Sequence, residues 1–127
     1  MRDYEEYITY WRNKFRERER MLQDLKKKAH QIAQQCARIL ADFYNVRKVY
    51  LIGSTTVGHI FHEHSDIDLI VEGLKPEIHF QALSALYAIL PKGIEIDLIP
   101  WEDAYKSIKS RALEEGEVLY EKSLQDI

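Results

Sequence analysis

The 127-residue sequence predicts an α/β (α+β) domain in which helices flank a small mixed β-sheet, entered through a long N-terminal helix. Three observations carry this. Residues 3 to 44 contain no glycine or proline and are rich in helix formers. Three short apolar, β-rich runs, Val49-Tyr50-Leu51-Ile52, Asp66 to Val71 and Ile94 to Ile99, each stop at or near a glycine or proline. Segments of helical period follow the second and third of them.

In the first helix, Tyr4, Ile8, Trp11 and Phe15, then Leu22, Leu25, Ala29, Ile32, Cys36, Ile39 and Phe43, recur in alternating steps of four and three. This is a heptad stripe, interrupted only by Arg18. A straight helix over these residues is roughly 60 Å long, whereas a compact domain of this size is about 35 to 40 Å across. The helix must therefore kink, or project and find a partner. The polar run Arg16-Glu17-Arg18-Glu19-Arg20 marks the division. Residues 1 to 21 are expected to form an arm and residues 22 to 127 the domain, with residues 22 to 44 covering the sheet.

Asn45 is a C-terminal stop signal, and the first strand lies within Val46 to Ile52. Asp66 to Val71 is the second strand, closed by Gly73. Pro76 opens a helix expected to run to about Leu90, with Phe80, Leu83, Leu86, Tyr87 and Leu90 on one face and Pro91 and Gly93 ending it. Ile94 to Ile99 is the third strand, stopped by Pro100. Trp101 to about Leu113 reads as another helix, and Val118-Leu119-Tyr120 as a short edge strand or tail.

The length suits one domain, with no room for separate catalytic and substrate domains, so an enzyme of this size takes its specificity from a partner. No apolar run approaches about 20 residues, which argues against a membrane span. Asp3, Glu5 and Glu6 do not suit a signal peptide. The single cysteine, Cys36, excludes an intrachain disulfide and a CxxC zinc site, and points to a reducing cytoplasm. The net charge of -3 hides an asymmetry: residues 1 to 48 hold 12 of the 18 Lys and Arg, against 7 acids. Those positives are mixed with Glu17, Glu19 and Asp24, as on an ordinary solvated helix face. The arm's aromatics without a basic groove read as a protein interface, with a second copy or another protein, rather than a platform for nucleic acid.

Chemistry concentrates in Gly53-Ser54-Thr55-Thr56-Val57-Gly58 and the following Ser65-Asp66-Ile67-Asp68-Leu69. Asp66 and Asp68, one residue apart on a strand, face the same way, while Ile67, Leu69 and Val71 supply the buried face. A glycine-serine turn beside them exposes backbone N–H groups to a phosphate. Asp97, on the third strand, is a further candidate, and Glu95 shares its face. Oxygen ligands for hard divalent cations beside a phosphate-gripping turn are what metal-dependent nucleotidyl transfer requires. Two acids that merely line an exposed strand face would explain the alternation but not the company of Gly53-Ser54. His59, His62 and His64, with Glu63 between them, invite a zinc reading, but a closed structural zinc site needs four ligands.

Together, Gly53-Ser54, Gly58, Asp66-Ile67-Asp68 and Asp97 resemble the minimal nucleotidyltransferases of the polymerase-beta superfamily, over roughly residues 36 to 120. The resemblance implies a polymerase-beta-like nucleotidyltransferase fold and transfer of a nucleoside monophosphate, AMP from ATP, to a hydroxyl. It implies magnesium on Asp66, Asp68 and Asp97 and triphosphate contacts from Gly53, Ser54 and Gly58. Proteins similar to this one act as antitoxins that adenylylate a tyrosine of a HEPN-domain toxin, which makes a HEPN protein the implied partner. Two features depart from the family pattern: the spacer between Ser54 and Asp66 is one residue longer than the commonest form, and Val57 stands where a basic residue is frequent. The other readings are a binding module that neutralises a partner by contact and an enzyme for a small hydroxylated substrate.

Overall fold

The computed structural model describes residues 2–52 and 66–123. Helix α1 (Arg2–Tyr44) is one uninterrupted element of 43 residues, about 65 Å at about 1.5 Å per residue. Asn45 ends it with a positive φ of 54°, and Val46 drops directly into the core. Strands β1 (Lys48–Ile52), β2 (Asp66–Glu72), β3 (Glu95–Pro100) and β4 (Glu117–Glu121) form a mixed sheet in the order β3-β2-β1-β4. The β2–β3 pair is parallel and the other two pairs are antiparallel. The segment expected as edge strand or tail is thus an edge strand.

One sheet face packs on α1 and on α2 (His79–Tyr87): Val49, Leu51, Ile67, Leu69, Val71, Ile96 and Leu98 meet Ala29, Ile32, Ala33, Cys36, Ala37 and Leu40 of α1 and Ala82 and Leu86 of α2. Alanines at 29, 33 and 37 let the α1 backbone approach the sheet closely. The buried line on α1 departs from the heptad stripe, because Ala33, Ala37 and Leu40 are buried while Phe43 is 78% exposed. The helix repeats every 3.6 residues, so a 3.5-residue stripe drifts about 20° per heptad away from the contact. Burial pushes the Cys36 thiol up to about 12, so it is an inert core group.

The other face is covered by α3 (Lys106–Glu115), where Tyr50, Ile52, Ile70 and Ala112 are buried with Ile99, Trp101 and Ile108 against them. Both later helices are shorter than the sequence predicts. The Pro76 segment begins as a 3₁₀ turn, Pro76–Ile78, and α2 stops at Tyr87, where the bonds Ile89 N–H to Leu86 and Leu90 N–H to Tyr87 tighten the chain before Pro91. Trp101–Asp103 is likewise a separate 3₁₀ turn, held by Trp101 stacking on Tyr50 at 5.5 Å, and Ala104 and Tyr105 are extended before α3 begins. Among the described residues, no helix is long and apolar enough to cross a membrane.

Leu40 is fully buried between α1 and the sheet, so Leu40→Ala is expected to lower unfolding free energy by about 2–5 kcal/mol in a urea titration. A loss below about 1 kcal/mol would show that this half of α1 is not part of the cooperative core.

Candidate active site

The pleat of β2 divides its side chains by chemistry. Ile67 and Leu69 are fully buried on the α1 face, which turns Asp66 and Asp68 to the α3 face. Parallel pairing then sets Asp66 beside Glu95 and Asp68 beside Asp97, so four acids share one face at the N-terminal ends of β2 and β3. Ile52, the last residue of β1, pairs with Asp68, so the chain leaves and re-enters the sheet beside the acids. Gly53, Ser54 and Gly58, and the histidines at 59, 62 and 64, lie outside the described residues.

Asp68 is half-buried, whereas Asp66 and Asp97 are exposed. The Asp68 carboxyl is pushed up to about 6, first by burial, then by the neighbouring charge of Asp97 and a side-chain hydrogen bond with it, then by the charge of Asp66. Arg111 on α3 acts in the opposite direction on the same carboxyl. Sequence reasoning passed over Arg111. Arg111 lies three residues after Ile108 and next to Ala112, the two residues that face α3 to this side of the sheet, a placement that only the tertiary packing reveals.

The position of Asp97 is fixed from outside the sheet. β3 is an edge strand, and its outward backbone groups are satisfied by α2: the Tyr87 hydroxyl donates to the Ile96 carbonyl at 3.2 Å and accepts from the Ile96 N–H at 3.4 Å. His79 Nε2 meets the Leu98 carbonyl at 3.0 Å. These contacts bracket Asp97 and cover an edge that would otherwise be open to further strand pairing.

The structure therefore brings Asp68 and Asp97 into contact, with Asp66 close enough to act on Asp68, and places Glu95 one pleat further along. Among the described residues, no group of three or more His, Cys, Asp and Glu side chains is arranged to hold a metal ion. The donor set is nevertheless of the kind a hard cation takes, being oxygen only, with like-charge repulsion from Asp97 and Asp66 acting on Asp68.

The family model for polymerase beta nucleotidyltransferases matches residues 34–125, and the chain belongs to that family. No curated protein matches the sequence. Among solved structures, the chain is similar to one in a toxin–antitoxin complex with AMP-PNP (21% identity, 73% of this chain and 77% of that one, TM-score 0.59). It is also similar to one in the complex of a tri-AMPylated Shewanella oneidensis HEPN toxin with MNT antitoxin (20% identity, 76% of each chain, TM-score 0.55), and to one in the MntA–HepT toxin–antitoxin complex (18% identity, 76% of each, TM-score 0.54). At these identities the likeness is one of fold. It agrees with the mixed sheet and flanking helices expected of a polymerase-beta-like nucleotidyltransferase.

Because its folded pKa is raised, Asp68 binds a proton more tightly in the native state than in the unfolded chain. Its contribution to stability is full below the ordinary carboxylate range near 4 and is lost as pH rises through about 6. Without divalent cations, unfolding free energy should therefore fall more steeply between those values in the wild type than in Asp68→Asn. Identical slopes in denaturant titrations would show that Asp68 is not strained by Asp97 and burial.

Proposed function

We propose that this chain is a magnesium-dependent nucleotidyltransferase that moves AMP from ATP onto a tyrosine hydroxyl of a HEPN-domain toxin, and so acts as an antitoxin. The observation that carries the reading is the contact between Asp68 and Asp97, two carboxylates held together by strand register on a domain of the nucleotidyltransferase family. In this reading Asp66, Asp68 and Asp97 hold the cation, and Gly53, Ser54 and Gly58 contact the triphosphate. Bound magnesium supplies charge neutralisation for the triphosphate and eases deprotonation of the acceptor. Residues 22–127 form the catalytic domain and residues 1–21 the arm. Buried, unpaired Cys36 suits a cytoplasmic setting.

Asp97 is exposed beside half-buried Asp68, a position from which it can accept the proton of an incoming hydroxyl. The hydroxyl oxygen forms a bond to the α-phosphorus as the bond from that phosphorus to its bridging oxygen breaks, and pyrophosphate leaves. Asp66 and Asp97 open to solvent, which suits an acceptor carried on another protein. The AMP-PNP complex and the AMPylated HEPN toxin among the similar structures support the nucleotide and the acceptor.

Incubation with ATP, magnesium and a HEPN-domain toxin should add the mass of AMP to a toxin tyrosine. Asp97→Asn should lower that transfer by about 10²–10⁴-fold while calorimetric ATP affinity changes little. The Asp66→Asn, Asp68→Asn double variant should lose magnesium-dependent ATP binding. A toxin neutralised in a stable complex with no added mass would replace the enzyme reading with neutralisation by contact.

A further inference from the structure

The arm of α1 presents an apolar ladder that its own domain does not cover. Tyr4 is 69% exposed, Trp11 45% and Phe15 62%, and Ile8 lies between them. The rings are already ordered against one another, with Tyr7 and Tyr10 edge-on to Trp11 and Trp11 tilted on Phe15. A groove along this face is lined by Tyr7, Ile8, Trp11 and Phe15. Nothing of the described domain reaches it, since residues 3 to 20 are all exposed.

We infer that the arm pairs antiparallel with the arm of a second copy of this chain, in the register that sets Tyr4 against the partner's Phe15 and Ile8 against the partner's Trp11. The heptad stripe selects this register. Tyr4 and Trp11 occupy d positions, Ile8 and Phe15 occupy a positions, and antiparallel helices oppose a to d. Both pairings are centred on the same point of the chain, between Thr9 and Tyr10, so two copies of one sequence fill every layer about a two-fold axis there. Arg18, the one charge in the stripe, falls outside those layers. Parallel pairing would instead oppose Arg18 to the partner's Arg18 within the seam, and sliding the antiparallel register by one heptad would set Arg18 against Ile8.

Charge complementarity favours the same register over its antiparallel heptad slides, one of which sets Glu5 against the partner's Glu19 and the other Glu5 against the partner's Glu5. In the antiparallel register, e positions face e positions and g positions face g positions. Glu5 then meets the partner's Arg12, and Arg12 meets the partner's Glu5, while Tyr7 meets the partner's Lys14. Lys14 already lies over the Tyr10 ring at 5.6 Å, on the flank that would receive this contact. The two domains, which begin to bury α1 at about Leu22, leave the paired arms at opposite ends and do not collide.

Sedimentation equilibrium of the full chain should give twice the chain mass of 15.1 kDa at micromolar concentration. Glu5→Arg and Arg12→Glu, each alone, should weaken self-association roughly tenfold by turning two attractive pairs into repulsive ones. An equimolar mixture of the two variants should restore it, because in the mixed dimer both cross-arm pairs again set one cation against one carboxylate. Trp11→Glu should abolish the dimer in any mixture, with helix content by circular dichroism unchanged in all variants. A wild-type chain that stays at its monomer mass throughout the micromolar range overturns the proposal, as does a dimer that the charge variants leave untouched.

Discussion

Parallel pairing of β2 with β3 forces two carboxylates together, and the rest of the domain is arranged around that constraint. Asp68 cannot turn away from Asp97, because Ile67 and Leu69 on either side of it are locked into the core. Nor can β3 slide, since Tyr87 and His79 hold its outer edge. In water two such acids would separate and both ionise. Here Asp68 keeps its proton up to about pH 6, above the range where free carboxylates lose theirs, because burial and the neighbouring Asp97 both disfavour its charged form. Strain of this kind, offset by an extensive apolar core, is ordinary at functional sites.

Much of this was legible in the sequence because the relevant periods are simple. The alternation of Asp66, Ile67, Asp68 and Leu69 fixes which face carries the acids, and glycine or proline after each apolar run marks the strand ends. What was not legible lies between elements. No local pattern tells that β2 and β3 run parallel in a register that opposes Asp68 to Asp97 rather than to Glu95. α2 was expected to run past Tyr87, where that residue's bonds to β3 end the helix, and α3 was expected to begin at Trp101, which stacking on Tyr50 instead holds in a separate turn before the helix. Arg111 was missed because its importance depends on a helix crossing the sheet above acids far away in the chain.

α1 shows the same division between local and tertiary information. Its heptad stripe is continuous in sequence, yet its two halves do different work. From about Leu22 onward small and apolar residues press on the sheet, and the burial follows the 3.6-residue helical repeat rather than the stripe. Before that point the stripe keeps its large aromatics and has no sheet beneath it. Helices depend on tertiary packing more than on propensity for their stability, so an arm of this length is secure only as the extension of a well-anchored helix or against another chain.

The central claim, that register and burial hold Asp68 and Asp97 as a charge-strained pair ready to receive a cation, is tested most directly by carboxyl-carbon NMR titration of Asp68. Without divalent cations Asp68 should titrate near 6, and with magnesium and a non-hydrolysable ATP analogue its midpoint should fall below the ordinary carboxylate range. An ordinary midpoint near 4 in the free protein, unmoved by magnesium and nucleotide, would contradict the account.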